Sequence, residues 1–184
     1  MNRQDNQRTR RTRSKIREAL LEIMREKSIY RISVQEICRN ANIHRTTFYA
    51  HYDDIFDLMS SIEIDMEEGV TRLFLEPESG TYRPLSDQSL ERLIEYVREN
   101  ANFYRVYLND FDRIRVFDRR IADVWKLEIE PVLRKGRNAS ESELGYQFAY
   151  FNSGLHGVIR KWLNTNCQES PAELIKAIKG FVRL

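Results

Sequence analysis

Glycine and proline are scarce, at 7 and 4 of 184 residues. So few breakers of regular structure favour long helices over a many-turned sheet protein. Histidine is rarer still: His44, His51 and His156 are the whole set, and none sits in an HExxH or other metal-ligand spacing. The sequence has no glycine-rich phosphate loop and no G-x-S-x-G elbow. These absences argue against an enzyme, and no catalytic residue, metal site or cofactor is expected. Cysteine appears twice, as Cys38 and Cys167, too far apart for a metal pair. Both read as reduced thiols of a cytoplasmic protein. No run approaches the roughly 18 uncharged apolar residues that a membrane span requires. The basic start, from Met1 to Lys15, has no apolar stretch behind it and does not read as a secretory signal.

What is present is a chain with 41% hydrophobic and 32% charged residues, enough for a core and a well-solvated surface. Its formal net charge of +2 hides an asymmetry. Residues 1–52 carry twelve Lys/Arg against five Asp/Glu, a net of +7, whereas the remainder carries 18 against 23, a net of −5. A basic head on an acidic body points to a polyanion partner for the head alone.

Helical spacing organises the chain from end to end. Ile16, Ala19, Leu20, Ile23 and Met24 predict a helix over Thr12–Lys27, with Arg10, Arg11, Arg13, Lys15 and Arg17 crowding its entry. Cations there oppose the helix dipole, so phosphate contact explains them better than helix stability does. Ser33 and Glu36 form a capping box that starts a short helix with Val34, Ile37, Cys38 and Ala41 inward. Asn42 suits a left-handed turn. A second short helix over His44–Tyr52 then turns Phe48 inward and Arg45, Thr46, Thr47 and Tyr49 outward. Two short helices about a tight turn make a helix-turn-helix.

A longer helix is predicted over Ile55–Leu75, a loop from Glu76 to Pro84, and helices over Ser89–Glu99, Asn102–Leu108 and Phe111–Arg134, the last kinked or ended by Pro131. In Glu141–Asn164, Leu144, Phe148, Phe151, Leu155, Val158 and Trp162 follow steps of 4, 3, 4, 3 and 4, a seam suited to knobs-into-holes packing. Gly154 and Gly157 lie in the same helix, where each costs about 1 kcal/mol relative to Ala. Their presence implies a close neighbour. Ser170, Pro171 and Glu173 cap a final helix whose apolar face is Leu174, Ile178, Phe181 and Val182.

The stretch from Tyr30 to Tyr52, with its Arg45-Thr-Thr-Phe-Tyr49 core and the following His51-Tyr52, resembles the helix-turn-helix of the tetracycline-repressor (TetR) family. The body, through Asn102–Leu108, Phe151–Trp162 and the Ser170-Pro-Ala-Glu-Leu helix, resembles the C-terminal domain common in Firmicutes members of that family. The resemblance implies an all-α fold, with a three-helix helix-turn-helix domain over 1–54 and an antiparallel helical dimerisation and effector domain over 55–184. It implies a homodimer on a double-stranded operator, with Arg45, Thr46 and Thr47 at base edges and Tyr49 and His51 at phosphates. Ser33 and Gln35 would touch DNA from the preceding helix, with Arg11 and Arg13 in the basic arm. The chemistry suits those roles, because arginine pairs bidentately with guanine and a threonine methyl can meet that of thymine. Hydroxyls fix register on phosphate without reading sequence.

The dimer interface implied by the resemblance draws on Phe151, Gly154, Leu155, Gly157, Val158 and Trp162, with Leu174 and Ile178. A small apolar or aromatic effector would meet Phe103, Tyr107, Trp125 and Phe148, and its binding would release a repressor. Three positions depart from the family pattern: Asn42 replaces the turn glycine, Ser28-Ile29 stands where the first helix commonly meets one, and Ile55 replaces a common lysine just after Asp53-Asp54. The alternative reading is a ligandless coactivator or protein-interaction module that keeps the helix-turn-helix as scaffold.

Overall fold

A computed structural model describes residues 3–75, 86–109, 121–137 and 139–181. All regular structure among them is helical. Two compact units divide the chain, residues 1–66 and residues 67–184.

The first unit is built from α1 (Arg3–Met24), a 3₁₀ turn (Ile29–Arg31), α2 (Val34–Ala41), α3 (Arg45–Tyr49) and the first part of α4 (Ile55–Leu75). α1 starts well before Thr12. Its early residues are polar, and they lengthen the helix without leaving an apolar period to read. The arginines from 10 to 17 therefore lie inside the helix rather than at its entry, and the dipole argument does not apply to them. Ile16, Ala19 and Leu20 of α1 join Ile37, Cys38 and Ala41 of α2, Phe48, Tyr52, and Leu58, Met59 and Ile62 of α4 in the core. Burying one such Ile, Leu or Phe is worth about 1.5–3 kcal/mol relative to leaving it exposed. Burial raises the Cys38 thiol above its ordinary pKa, as expected of a packed and unreactive group.

The second unit takes the end of α4, then α5 (Asp87–Glu99) and α6 (Ala101–Tyr107). A helical run from residue 121 passes through a π turn (Trp125–Ile129) into α7 (Glu130–Arg137), and α8 (Glu141–Asn164) and α9 (Pro171–Phe181) complete it. The expected loop from Glu76 to Pro84, the start of the helix at Phe111 and Val182 lie outside the described residues. Pro131 does not end its helix. Proline lacks an N–H and crowds the carbonyl four residues back. The widened turn before it, in which Glu130 N–H donates to the Trp125 carbonyl, takes up that misfit.

Close fitting within this unit has a clear instance at Gly69 of α4. A Cβ there would fall 1.9 Å from the Tyr96 hydroxyl oxygen of α5, so only glycine lets that ring lie where it does. At the far end of α8, Arg105 of α6 donates from Nε to the Leu163 carbonyl at 3.1 Å and from its terminal nitrogen to Asn166 Oδ1 at 3.0 Å. The Leu163 carbonyl, which also accepts the Asn166 N–H at 3.1 Å, thereby gains a second donor at the helix end. Asn166 and Cys167 both adopt left-handed backbone with φ of 54°, costly for residues other than glycine. Cys167 N–H to the Trp162 carbonyl and Trp162 Nε1 to the Glu169 carbonyl, each 2.9 Å, hold them there.

Capping boxes open α2 at Ser33/Glu36 and α8 at Ser140/Glu143. Ser170 and Glu173 make the same reciprocal bonds before α9. Lys27 adds an ion pair to Glu36, and with the Ser33 bonds it lowers that carboxyl from an ordinary 4.5 to about 2. A carboxyl depressed by folding supports the native state above its unfolded pKa and loses that support as pH falls toward the folded value. Glu36→Gln should therefore flatten the loss of stability between about pH 5 and pH 2, measured by urea denaturation across that range. An unchanged slope would remove Glu36 from the account.

Candidate nucleic-acid interface

The helix-turn-helix forms where its residues predicted it. Ser33 Oγ accepts the Glu36 N–H while the Glu36 carboxylate accepts the Ser33 N–H at 2.9 Å, which fixes the first turn of α2. Asn42 ends α2 in left-handed backbone (φ 52°, ψ 54°), and Ile43 N–H returns to the Cys38 carbonyl at 3.0 Å. α3 is shorter than the expected His44–Tyr52 span, and Phe48 is its fully buried residue. Phe48 meets Tyr49 edge-on at 5.5 Å and Tyr52 at 5.9 Å between ring centroids.

With Phe48 inward, Arg45, Thr46 and Tyr49 are exposed and Thr47 is half-buried. Arg45 and Tyr49, one turn apart, touch through guanidinium and hydroxyl at 3.5 Å. That contact raises the arginine's pKa further. His51 is half-buried in the turn after α3, and Gln35 is exposed near the start of α2. Ser33 is exposed too, but its hydroxyl already donates to Glu36 Oε2 at 3.0 Å. A phosphate would have to compete for that proton.

The arginines of α1 serve two purposes that charge alone does not separate. Arg10, Arg11 and Lys15 are exposed. Arg13 is exposed as well, yet its guanidinium lies 5.6 Å from the Tyr52 ring centroid and its Nε donates to the Tyr52 hydroxyl at 3.4 Å. Arg17 reaches α4, donating to the Ser61 carbonyl at 3.4 Å and pairing with Asp65 at 2.6 Å. Arg13 and Arg17 thus tie α1 to the segments after α3.

The start of α4 holds a feature that sequence reasoning missed. Asp54 Oδ1 accepts the Asp57 N–H at 2.8 Å, and Asp57 Oδ2 accepts the Asp53 N–H at 3.0 Å. The acidic pair is therefore part of a helix cap. The Asp54-x-x-Asp57 spacing was the available signal. Ile55 between them is buried at 9% exposure and belongs to the core.

In the body, the residues expected at an effector fall into two aromatic groups. Phe103 and Tyr107 of α6 stack at 4.9 Å beside Tyr104, whose burial pushes its hydroxyl pKa up. Trp125 meets Phe148 and Phe151 at 5.6 Å each, over a core of Ile129, Leu133 and Leu144. Phe103, Tyr107 and Trp125 are buried and Phe148 is half-buried. The residues expected at a dimer interface also divide. Trp162, Leu174 and Ile178 are buried within the chain itself, and Phe151, Leu155 and Val158 are half-buried. Gly154 and Gly157 look outward: an added Cβ at either would meet nothing within 4 Å. Among the described residues no helix is long and apolar enough to cross a membrane.

Comparison with known proteins places this geometry. Residues 86–184 match the TetR C-terminal family described as "Transcriptional regulator C-terminal region". The uncharacterized HTH-type transcriptional regulator YxbF of Bacillus subtilis (strain 168) is 22% identical over 174 residues, covering 92% of this chain. The chain spans only 44% of that relative's length. A TetR transcriptional regulator from Streptococcus agalactiae 2603V superposes with a TM-score of 0.62 at 19% identity, covering 97% of both chains. A TetR/AcrR-type transcriptional regulator from Aquifex aeolicus VF5 gives 0.60 at 20% identity, covering 94% of this chain and 98% of its own. At these identities the structural likeness is one of fold.

The cap at α4 gives a direct test. Asp54→Ala should cost about 0.5–2 kcal/mol, the usual worth of an N-cap side chain. Asp53→Ala, whose side chain makes neither capping bond, should cost less than about 0.5 kcal/mol. Chemical denaturation of both variants separates capping from a mere excess of negative charge, which would make the two alike.

Proposed function

The chain belongs to the TetR family of transcriptional regulators, and we propose that it binds a DNA operator as a homodimer, acting in the cytoplasm as a repressor released by a small apolar or aromatic effector. It is a regulator and not an enzyme. The observation that carries the DNA reading is the outer face of α3, where Arg45, Thr46 and Tyr49 are exposed above a buried Phe48. A guanidinium, a methyl-bearing hydroxyl and a phenol on one face match the donors and apolar groups that base edges and phosphates accept. Arg45, Thr46 and Thr47 would read bases, while Tyr49, His51 and Gln35 would fix the register. Arg11 would supply sequence-independent attraction. Arg13, engaged with Tyr52, would contribute more to orientation than to charge.

Dimerisation follows from the operator geometry the family uses. Two recognition helices reach adjacent major grooves when they stand about 34–36 Å apart. Effector release rests on the aromatic groups around Phe103, Tyr107, Trp125 and Phe148, which would supply apolar walls. A ligand alters operator affinity only by as much as it prefers one state of the protein. The usual coupling corresponds to a five- to hundredfold change in affinity.

The second reading, an interaction module without an operator, is favoured by Asp53, Asp54 and Asp57 at the start of α4. The Asp54 and Asp57 carboxylates occupy backbone N–H groups that could otherwise face phosphate, and Asp53 adds a third negative charge.

Selection from random duplexes should enrich one motif with two half-sites. Arg45→Ala should then weaken that operator by about 1–3 kcal/mol and relax one position, while Arg11→Gln should weaken all sequences alike and reduce the salt slope by about 1. Failure to enrich any motif sinks the operator reading and leaves the interaction module.

A further inference from the structure

Among the described residues of the first unit, the large apolar side chains left exposed are Tyr30, Tyr49, Phe56 and Ile64. Tyr49 belongs to the outer face of α3, and the other three lie elsewhere. Phe56 and Ile64, 44% and 54% exposed, stand eight residues apart on α4 with the exposed Ser60 midway. Steps of four keep positions 56, 60 and 64 within about 80° of one another, in a strip about 12 Å long. Tyr30, 75% exposed, comes from the 3₁₀ turn before α2, and its ring centroid lies 5.8 Å from that of Phe56. Two elements far apart in sequence thus build one open apolar surface.

The strip is bordered by acid in a unit that is otherwise basic. Asp53 and Asp57, three residues before Phe56 and one after it, are exposed on the same side of α4, and Asp54 is exposed in the same turn. Arg31, next to Tyr30, is exposed too, so three carboxylates stand there against one guanidinium. Phosphate is repelled by such a surface. A second copy meeting it about a two-fold axis would set each acidic strip against itself. The basic part of α1 offers charge without anchors, because residues 3–15 contain no hydrophobic side chain to seat on the rings. What fits is apolar and cationic together.

We propose that the strip of Tyr30, Phe56 and Ile64 is a docking surface for a basic amphipathic helix of another protein. The occupant sets apolar side chains, three and four residues apart, on the two rings and Ile64. Its lysines or arginines lie against Asp53 and Asp57, and a cation over either ring face gains further attraction. Two turns of helix match the length of the strip. Because the two rings already rest on one another, less side-chain freedom is lost on binding. So short a strip gives a weak, reversible contact. The proposal goes beyond operator binding and does not depend on it, since α3 keeps its own outer face.

Panning a random peptide library displayed on phage against the full-length protein tests this. It should enrich segments with apolar residues at helical spacing and lysine or arginine between them. The most enriched segment, made as a labelled synthetic peptide, should bind in solution by fluorescence anisotropy. Tyr30→Ser, Phe56→Ser and Ile64→Ser should each weaken it several-fold. Asp53→Lys should do the same, and the native side chain there makes neither capping bond. Tyr150→Ser removes an equally exposed ring from α8 and should leave binding unchanged, and circular dichroism confirms that every variant is helical. Enrichment of acidic or uncharged segments, or binding that survives Phe56→Ser, overturns the proposal. So does a several-fold loss of affinity for duplex DNA in Phe56→Ser, which would give the strip to DNA. A smaller species by light scattering in that variant would give it to a second copy and overturns the proposal as well. The operator reading is judged separately, by the selection from random duplexes.

Discussion

A five-residue helix cannot sustain itself in water, since nucleation fixes several backbone angles before one hydrogen bond returns. α3 is such a helix, and the burial of Phe48 is what it depends on. Phe48 packs between Tyr49 and Tyr52, while Asn42 in left-handed backbone sets the direction from which α3 starts. Tyr52 carries the same anchoring outward, because Arg13 of α1 rests on its ring. With Phe48 seated, helical geometry turns Thr46 and Tyr49 well away from it, and Arg45, one turn earlier, is exposed beside Tyr49. A surface held in this way can present unsatisfied donors without being distorted by them.

Charge in the head is divided by what each group touches. Arg17 is tied to Ser61 and Asp65, and Lys27 to Glu36, so both act within the fold. Exposed ion pairs contribute little individually. Their value here is in fixing where helices cross. Arg10, Arg11 and Lys15 remain exposed on α1. The net positive charge of the head thus overstates what is free to meet a polyanion, and the capping carboxylates at Asp54 and Asp57 reduce it further where α4 begins. Specificity then rests more on the side chains of α3 than on bulk attraction, since phosphate contacts carry no sequence information of their own.

The sequence made the helix-turn-helix and the long helices legible for the same reason. Ser33/Glu36 and Ser170/Glu173 mark starts by chemistry, and the apolar periods of Ile55–Leu75 and Glu141–Asn164 mark lengths by geometry. Where either signal failed, so did the reading. α1 extends back through polar residues that carry no period, and the π turn before Pro131 follows from a local misfit that has no sequence template. At the candidate site, exposure of Thr46 and Tyr49 was legible from the position of Phe48, and that of Arg45 from its charge. The engagement of the Ser33 hydroxyl and of Arg13 was not, because each depends on where a neighbouring side chain settles.

Periodicity identifies the buried side of a helix without saying what buries it. The seam of α8 illustrates this: its spacing fits another chain as well as its own, and Leu144 is packed against Trp125, Ile129 and Leu133 of the same chain. The outer side of α8 has almost no hydrophobic period, only Tyr146 and Tyr150 beside Ser153, Gly154, Gly157 and Lys161, so pattern reading passes over it. Three glycines, Gly145, Gly154 and Gly157, lie inside a 24-residue helix, and each weakens it in isolation. An added Cβ at any of the three would meet nothing within 4 Å, so packing inside the chain does not account for them, and periodicity, which reads only the apolar side, passes them over.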